Sequence, residues 1–141
     1  MKKTTDELLR ELEGFSDFKR FYAANEAELE AVPVADAPSA YLDKKGLQKS
    51  AVVAASQLSE VYAYQILSGV RQKPARSKLL CITVAMGLEF SETQELLKRT
   101  GYPTLYARNP FDCVVIYGIL KGMDVIGINT LLYEYLGETL A

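Results

Sequence analysis

The feature of this sequence that most constrains its fold is a recurring pattern in which a capping residue opens a short segment and a glycine ends it. Ser59 precedes a segment that ends at Gly69, and Asp124 precedes one that ends at Gly137. Capping side chains satisfy free N–H groups at a helix start, and glycine adopts the left-handed conformation that ends many helices. Repeated along 141 residues, this pattern predicts an all-α chain of about eight short helices.

The same signals locate the individual helices. Asn109 followed by Pro110 marks a helix start, which favours a buried helix over a strand for the β-branched run 113–117. Ser91 and Gln94 match the S-x-x-Q capping box of another helix. The predicted helices cover residues 5–12, 15–30, 40–45, 49–55, 59–68, 76–86, 91–100, 109–121 and 124–136.

The residue types that are missing exclude several kinds of catalytic and metal site. The chain has no histidine, which excludes a Ser-His-Asp triad, a Cys-His pair and any His-ligated metal. Cys81 and Cys113 form no C-x-x-C pair, and their apolar neighbours predict two reduced, buried thiols. No G-x-G-x-x-G or P-loop motif is present. We therefore predict that the protein is not an enzyme and needs no metal or cofactor.

The hydropathy pattern favours a protein without a membrane partner. The first residues, MKKTTDELLRELEGF, lack the apolar core of a signal peptide. No apolar run approaches the roughly 20 residues that a membrane-spanning helix needs. We therefore expect a cytoplasmic location.

Positive charge is concentrated in one segment of a chain whose formal net charge is only −2. Acidic residues outnumber basic ones in residues 1–43 and again in residues 81–141. Residues 46–80 contain one acid, Glu60, and the bases Lys49, Arg71, Lys73, Arg76 and Lys78. The basic run at 71–78 is either a solvated loop at a helix start or a contact for phosphate groups.

The most informative stretch is residues 47–88. Two short predicted helices flank a three-residue turn at 56–58, which is the spacing of a helix-turn-helix. The second helix ends in Ile66-x-x-Gly69-x-Arg71-x-x-Pro74, and Met86-Gly87-Leu88-x-Phe90-Ser91 joins the two helices that follow. In these motifs the sequence resembles the lambda-repressor-like (Cro/XRE-type) helix-turn-helix family, over about residues 40–100.

The resemblance implies a DNA-binding transcriptional regulator of bacterial type. Its helix 59–68 would enter the major groove, and Gln65 could pair with adenine. Val53, Leu58, Ala63 and Ile66 match the family's inward-facing positions. The residues that the resemblance places against DNA bases or phosphates are Lys49, Ser59, Glu60, Val61, Tyr64, Gln65, Ser68, Arg71, Lys73 and Arg76.

Two features of the motif depart from the family's pattern, and Glu60, the overall acidity and the tyrosines of helix 59–68 favour a second function. Gln57 occupies a turn position that is usually glycine. The outward face of helix 59–68 has no lysine or arginine and carries Glu60, which phosphates would repel unless it accepts from a cytosine amino group. The alternative is a protein-interaction adaptor that retains the helix-turn-helix fold without binding DNA.

The predicted organisation has three parts and no evident internal repeat. Residues 1–38 form an N-terminal helical arm that ends in an extended, proline-containing linker at 32–39. Residues 39–100 form the lambda-repressor-like helix-turn-helix domain. Residues 101–141 add two C-terminal helices that pack on the same core. The apolar residues of these last helices also predict a homodimer surface.

Overall fold

The computed structural model describes residues 3–26, 29 and 33–141. All regular secondary structure in this part of the chain is α-helical, with nine helices and no strand. This confirms the predicted all-α class and the helical state of 113–117. The chain divides into two compact units, Met1–Ala31 and Val32–Ala141.

The N-terminal unit contains two short helices, α1 (Thr5–Gly14) and α2 (Phe18–Asn25). The buried ring of Phe21 meets the ring of Phe15 edge to face, with their centroids 5.6 Å apart. The second predicted helix extended to residue 30, whereas α2 is shorter. Most of the positions between α2 and residue 33 lie outside the described residues.

The larger unit contains the other seven helices, joined by short connections. They are α3 (Asp36–Lys45), α4 (Lys49–Ala55), α5 (Glu60–Ser68), α6 (Arg76–Ala85), α7 (Phe90–Arg99), α8 (Pro110–Leu120) and α9 (Val125–Leu136).

The extended linker predicted at 32–39 is wrong for its second half. Residues 36–39 form the first turn of α3, and Pro38 is buried at the third helical position. Proline is tolerated in a first turn because the N–H groups there have no acceptor within the helix. The two prolines of this segment therefore lie just before and just inside a helix start.

Most predicted helix ends are confirmed. Gly46, Gly69 and Gly137 follow their helices with φ values of 64°, 87° and 67°. The hydroxyl of Ser59 accepts a hydrogen bond from the Tyr62 N–H at 3.2 Å, which caps α5. These ends could be predicted because a single residue type supplies each one.

The start of α7 differs from its prediction. The helix begins at Phe90, so Ser91 lies inside the first turn and does not form a capping box with Gln94. The Glu92 carboxylate instead accepts from the N–H of Glu89 at 2.9 Å. An acidic residue in this first turn also interacts favourably with the helix dipole.

The hydrophobic core is centred on α6, in which residues 79–84 are all buried. This helix packs against α4 and α9. Val53, Ala63 and Ile66 are buried as predicted, and Leu58 packs partly buried against the same core. The core therefore fixes α4 and α5 by their inward faces.

Two local features of the segment that contains α6 and α7 recur in the segment that contains α8 and α9, although the helices pack differently: α8 packs against α9, whereas α6 packs against α4 and α9. We name residues 76–105, which include α6 and α7, the first helical pair, and residues 111–140, which include α8 and α9, the second. In each pair a glycine with positive φ lies between the helices, Gly87 at 68° and Gly122 at 70°.

The anchoring hydrogen bond after each pair is also repeated. Gln94 Oε1 accepts from the N–H of Leu105 at 2.7 Å. Asn129 Oδ1 accepts from the N–H of Leu140 at 2.6 Å. Both leucines are buried. Gly87 and Gly122, Gln94 and Asn129, and Leu105 and Leu140 are each separated by the same number of positions in the sequence. The sequence did not reveal these shared features, because different residues, Gln94 and Asn129, form the equivalent hydrogen bonds.

The prediction of two buried thiols is right for one cysteine and wrong for the other. Cys81 is buried in α6, and burial raises the pKa of its thiol to about 11. Cys113 is exposed on α8. Its apolar neighbours in sequence point to the core, while Cys113 itself lies on the opposite side of the helix.

Candidate nucleic-acid interface

The turn between α4 and α5 is built by short-range hydrogen bonds. The buried Ser56 hydroxyl donates to the Val53 carbonyl at 2.7 Å and accepts from the Leu58 N–H at 3.3 Å. Gln57 has a φ of 63°, the one left-handed residue other than glycine in the described part of the chain. Gln57 therefore adopts the left-handed conformation that favours glycine at this position, at the modest cost that a non-glycine residue incurs there.

The face of α5 that points away from the core is accessible. Val61 is 69% exposed, and Ser59, Glu60 and Ser68 are exposed as well. Tyr64 and Gln65 are half-buried between this face and the core. A shallow open depression on this surface is lined by Glu60, Val61, Tyr64, Gln65 and Ser68. The structure thus brings together the residues of α5 for which the sequence predicted base contacts.

Arg71 is held in position at the C-terminal end of α5. Its guanidinium lies 4.3 Å from the centroid of the Tyr62 ring, a cation–π geometry. Its Nη2 donates to Gln65 Oε1 at 2.9 Å, and its main-chain N–H donates to the Gln65 carbonyl at 3.0 Å. These contacts fix the orientation of an exposed cation and leave several of its N–H groups free.

Two lysines add positive charge near α5. Lys49 is the first residue of α4, and Lys73 lies in the connection between α5 and α6. Both are exposed, and no ion pair involves them or Arg71 within the described residues. Their charges are therefore available to an anion.

Arg76 differs from the other predicted phosphate contacts. Its guanidinium forms a bidentate ion pair with Asp112, at 2.8 and 3.0 Å, and donates to the carbonyls of Pro103 and Thr104. The side chain is 22% exposed. A guanidinium engaged in four hydrogen bonds within the protein has little left to offer a phosphate, so the structure gives Arg76 a structural role.

The environment of Asp112 keeps this carboxylate charged. Burial alone would raise its pKa, but the hydrogen bonds from Arg76 and the Tyr106 N–H, together with the charge of Arg76, outweigh that effect and lower the pKa from its ordinary 3.8. Asp112 lies in the first turn of α8. Nothing in the sequence links it to Arg76, which is 36 positions earlier.

No other kind of site stands out in the described part of the chain. It contains no cluster of cysteine, aspartate and glutamate residues that could hold a metal ion. No helix among the described residues is long and apolar enough to cross a membrane. Comparisons with protein-family models, curated proteins and solved structures give no match for this chain.

Proposed function

We propose that this chain is a DNA-binding transcriptional regulator with a lambda-repressor-like helix-turn-helix, which places α5 in the major groove of double-stranded DNA. The observation that carries the proposal is the exposed outward face of α5, with Arg71 fixed at its end by Tyr62 and Gln65. An exposed helix face flanked by unpaired cations is the arrangement by which helix-turn-helix proteins read duplex DNA.

The contacts to bases come from α5 itself. Gln65 Oε1 already accepts from Arg71, so its Nε2 group is the free end and would donate to an acceptor at a base edge. Val61 and Tyr64 offer apolar contact to a thymine methyl group, and Glu60 could accept from a cytosine amino group. Ser59 and Ser68 lie at the two ends of this face.

The contacts to phosphates come from the flanking cations. Lys49 approaches from the start of α4, and Arg71 and Lys73 follow α5. Arg76 is left out of this set, because Asp112 and two carbonyls occupy its guanidinium. Three contacts per chain give modest affinity, which a dimer on a two-fold site would increase.

The test is a salt titration of binding to mixed-sequence duplex DNA. We expect log K to fall linearly with log salt for the unmodified chain. Arg71→Ala combined with Lys73→Ala should reduce the slope by about two and weaken binding roughly fifty-fold at 0.1 M salt. The matched control is Lys98→Ala with Lys121→Ala, which removes two exposed charges from the helical pairs. Equal losses of DNA affinity in both double variants would refute the placement of Arg71 and Lys73 against phosphates.

A protein-interaction adaptor is the second candidate. It is favoured by the exposed apolar side chain of Val61 in a depression that carries Glu60 and no cation. In that case Val61→Lys would abolish capture of the partner, and the unmodified chain would not bind any duplex at 50 mM salt. If α5 instead enters the major groove, Val61→Lys adds a cation close to DNA and should strengthen nonspecific binding.

The predicted homodimer through α8 and α9 stays a prediction. Tyr117 and Leu120 on α8, and Ile126 and Tyr133 on α9, are all more than half exposed. Sedimentation equilibrium of the full chain, compared with a Tyr133→Glu variant, tests it. A dimer in the first and a monomer in the second is the expected result, and a monomer in both would refute the prediction.

A further inference from the structure

The loop between α7 and α8, residues 102–109, has no regular structure and is nevertheless held firmly. Gln94 on α7 contacts it with both ends of its amide. Nε2 donates to the Leu105 carbonyl at 2.9 Å, and Oε1 accepts from the Leu105 N–H at 2.7 Å. The Leu105 side chain is buried beneath these contacts. Both backbone polar groups of Leu105, in the middle of the loop, are therefore hydrogen-bonded to α7.

Two more helices hold the loop on either side of Leu105. Arg76 on α6 donates to the carbonyls of Pro103 and Thr104, at 2.9 and 3.0 Å. Asp112 on α8 accepts from the N–H of Tyr106 at 2.9 Å. Polar side chains from three helices thus fix the backbone of one exposed loop, which is typical of loops that present a binding group from a rigid scaffold.

The groups that the loop displays are cationic and hydrogen-bonding. Tyr106 is 61% exposed, and Arg108 is exposed as well. Arg108 is the one charged residue among 102–109, and no ion pair within the described residues involves it. An arginine and a phenol presented together suit phosphate oxygens, which accept hydrogen bonds from both.

The loop adjoins the connection that carries Lys73. The Tyr102 hydroxyl donates to the Pro74 carbonyl at 2.6 Å. Burial raises the pKa of Tyr102, and Tyr62, whose ring lies under the guanidinium of Arg71, adds to this effect electrostatically. The start of the 102–109 loop therefore contacts the connection between α5 and α6, which carries Arg71 and Lys73.

We propose that the 102–109 loop is a second phosphate-binding element, in which Arg108 and Tyr106 contact the backbone of the duplex that α5 reads. This inference rests on the proposed function, and it extends the DNA surface beyond the helix-turn-helix into the connection between the two helical pairs. The net positive charge of the loop favours a polyanion over an apolar partner.

The experiment compares single variants of the full chain in salt titrations on mixed-sequence duplex DNA. Arg108→Ala should lower the salt slope by about one and weaken binding about tenfold at 0.1 M salt. Arg108→Lys should restore the slope, and Tyr106→Phe should weaken binding two- to fivefold by removing one hydroxyl donor. Lys121→Ala, an exposed cation on the second helical pair, is the matched control and should leave the slope unchanged.

Three outcomes distinguish this inference from the proposal on which it rests. If Arg71→Ala with Lys73→Ala weakens binding but Arg108→Ala matches Lys121→Ala, only the loop inference is overturned. If the unmodified chain does not bind duplex DNA at 50 mM salt, the proposed function fails and the inference fails with it. A smaller salt slope in Arg108→Ala that Arg108→Lys restores supports both the proposed function and the loop inference. Unchanged circular dichroism shows that each variant is folded.

Discussion

The two helical pairs share two local features and differ in their packing, because α8 packs closely against α9 whereas α6 packs mainly against α4. In both pairs a glycine with positive φ separates the helices and a polar side chain anchors a later leucine. In the first pair, Ile82 on α6 is fully buried. The equivalent residue on α8, Tyr117, is 52% exposed. Equivalent positions therefore face the core on α6 and solvent on α8.

The difference extends to the second helix of each pair. The outward residues of α7 include Ser91, Glu95 and Lys98, which are polar and exposed. The equivalent positions on α9 are Ile126, Thr130 and Tyr133, which are also exposed but mostly apolar. The outward face is therefore polar on α7 and mostly apolar on α9. The two pairs thus present different surfaces to a binding partner.

The largest expected effect comes from truncating the two equivalent residues of α6 and α8. Ile82→Ala should lower the free energy of unfolding by about 4–5 kcal/mol, because it opens a cavity in a filled core. Tyr117→Ala should change it by less than about 0.5 kcal/mol, since that side chain is largely solvated. Urea denaturation measures both. Similar values would contradict the assignment of α8 to an outer layer.

The ion pair that joins the two pairs should give the next largest effect. Arg76→Ala leaves the buried Asp112 carboxylate without its counter-ion and should cost about 2–4 kcal/mol. Arg76→Ala should also loosen residues 103 and 104, seen as faster amide exchange in the 102–109 loop. If Arg76→Ala leaves the free energy of unfolding unchanged and lowers the salt slope of DNA binding, Arg76 contacts phosphate and the structural role is refuted.

The pH dependence of stability follows from the same carboxylate. The pKa of Asp112 is lower in the folded chain than its ordinary 3.8. Its contribution to stability is therefore fully present above the unfolded pKa and is lost as the pH falls from about 4 through the folded pKa. Asp112→Asn should flatten that part of the acid unfolding curve. An unchanged curve would show that the carboxylate is not stabilised as described.

The close packing between α8 and α9 predicts a smaller effect, at Gly118. A Cβ at Gly118 would clash with the Ile128 side chain, while the equivalent residue of the first pair is a buried Thr83. Gly118→Ala should cost about 1–3 kcal/mol through overpacking. Gly14→Ala in α1, which meets nothing within 4 Å, is the control and should be neutral or slightly stabilising. Thermal unfolding separates the two.

The smallest expected effect concerns the two anchoring side chains. Gln94→Ala removes two hydrogen bonds to Leu105, and Asn129→Ala removes one to Leu140. We expect losses of about 1–2 and about 1 kcal/mol, respectively. Equal effects would indicate that the second contact of Gln94 contributes nothing to stability.

The sequence predicted what single residues decide locally. Ser59, Asp124 and the glycines that end helices act within a few residues of themselves, so their roles could be inferred without the structure. Arg76 and Asp112 could not be paired, because only the packing of α6 against the 102–109 loop and α8 brings them together. Cys113 was misplaced because apolar neighbours do not specify which side of a helix faces the core.

The candidate site shows the same division. The exposure of Glu60 and Val61 follows from helical periodicity once Ala63 and Ile66 are assigned to the core. The contact of Arg71 with Tyr62 and Gln65 depends on the backbone path after Gly69, which the sequence did not specify. Neither could the sequence reveal that Tyr102 hydrogen-bonds to the Pro74 carbonyl in the connection after α5.

The placement of α5 against DNA is tested most directly by mapping amide chemical shifts of the isotope-labelled chain during titration with a mixed-sequence duplex. The account predicts the largest shifts at residues 59–73, smaller ones at 104–108, and none on the exposed face of α9. No shifts at 50 mM salt, or shifts confined to α8 and α9, would contradict it.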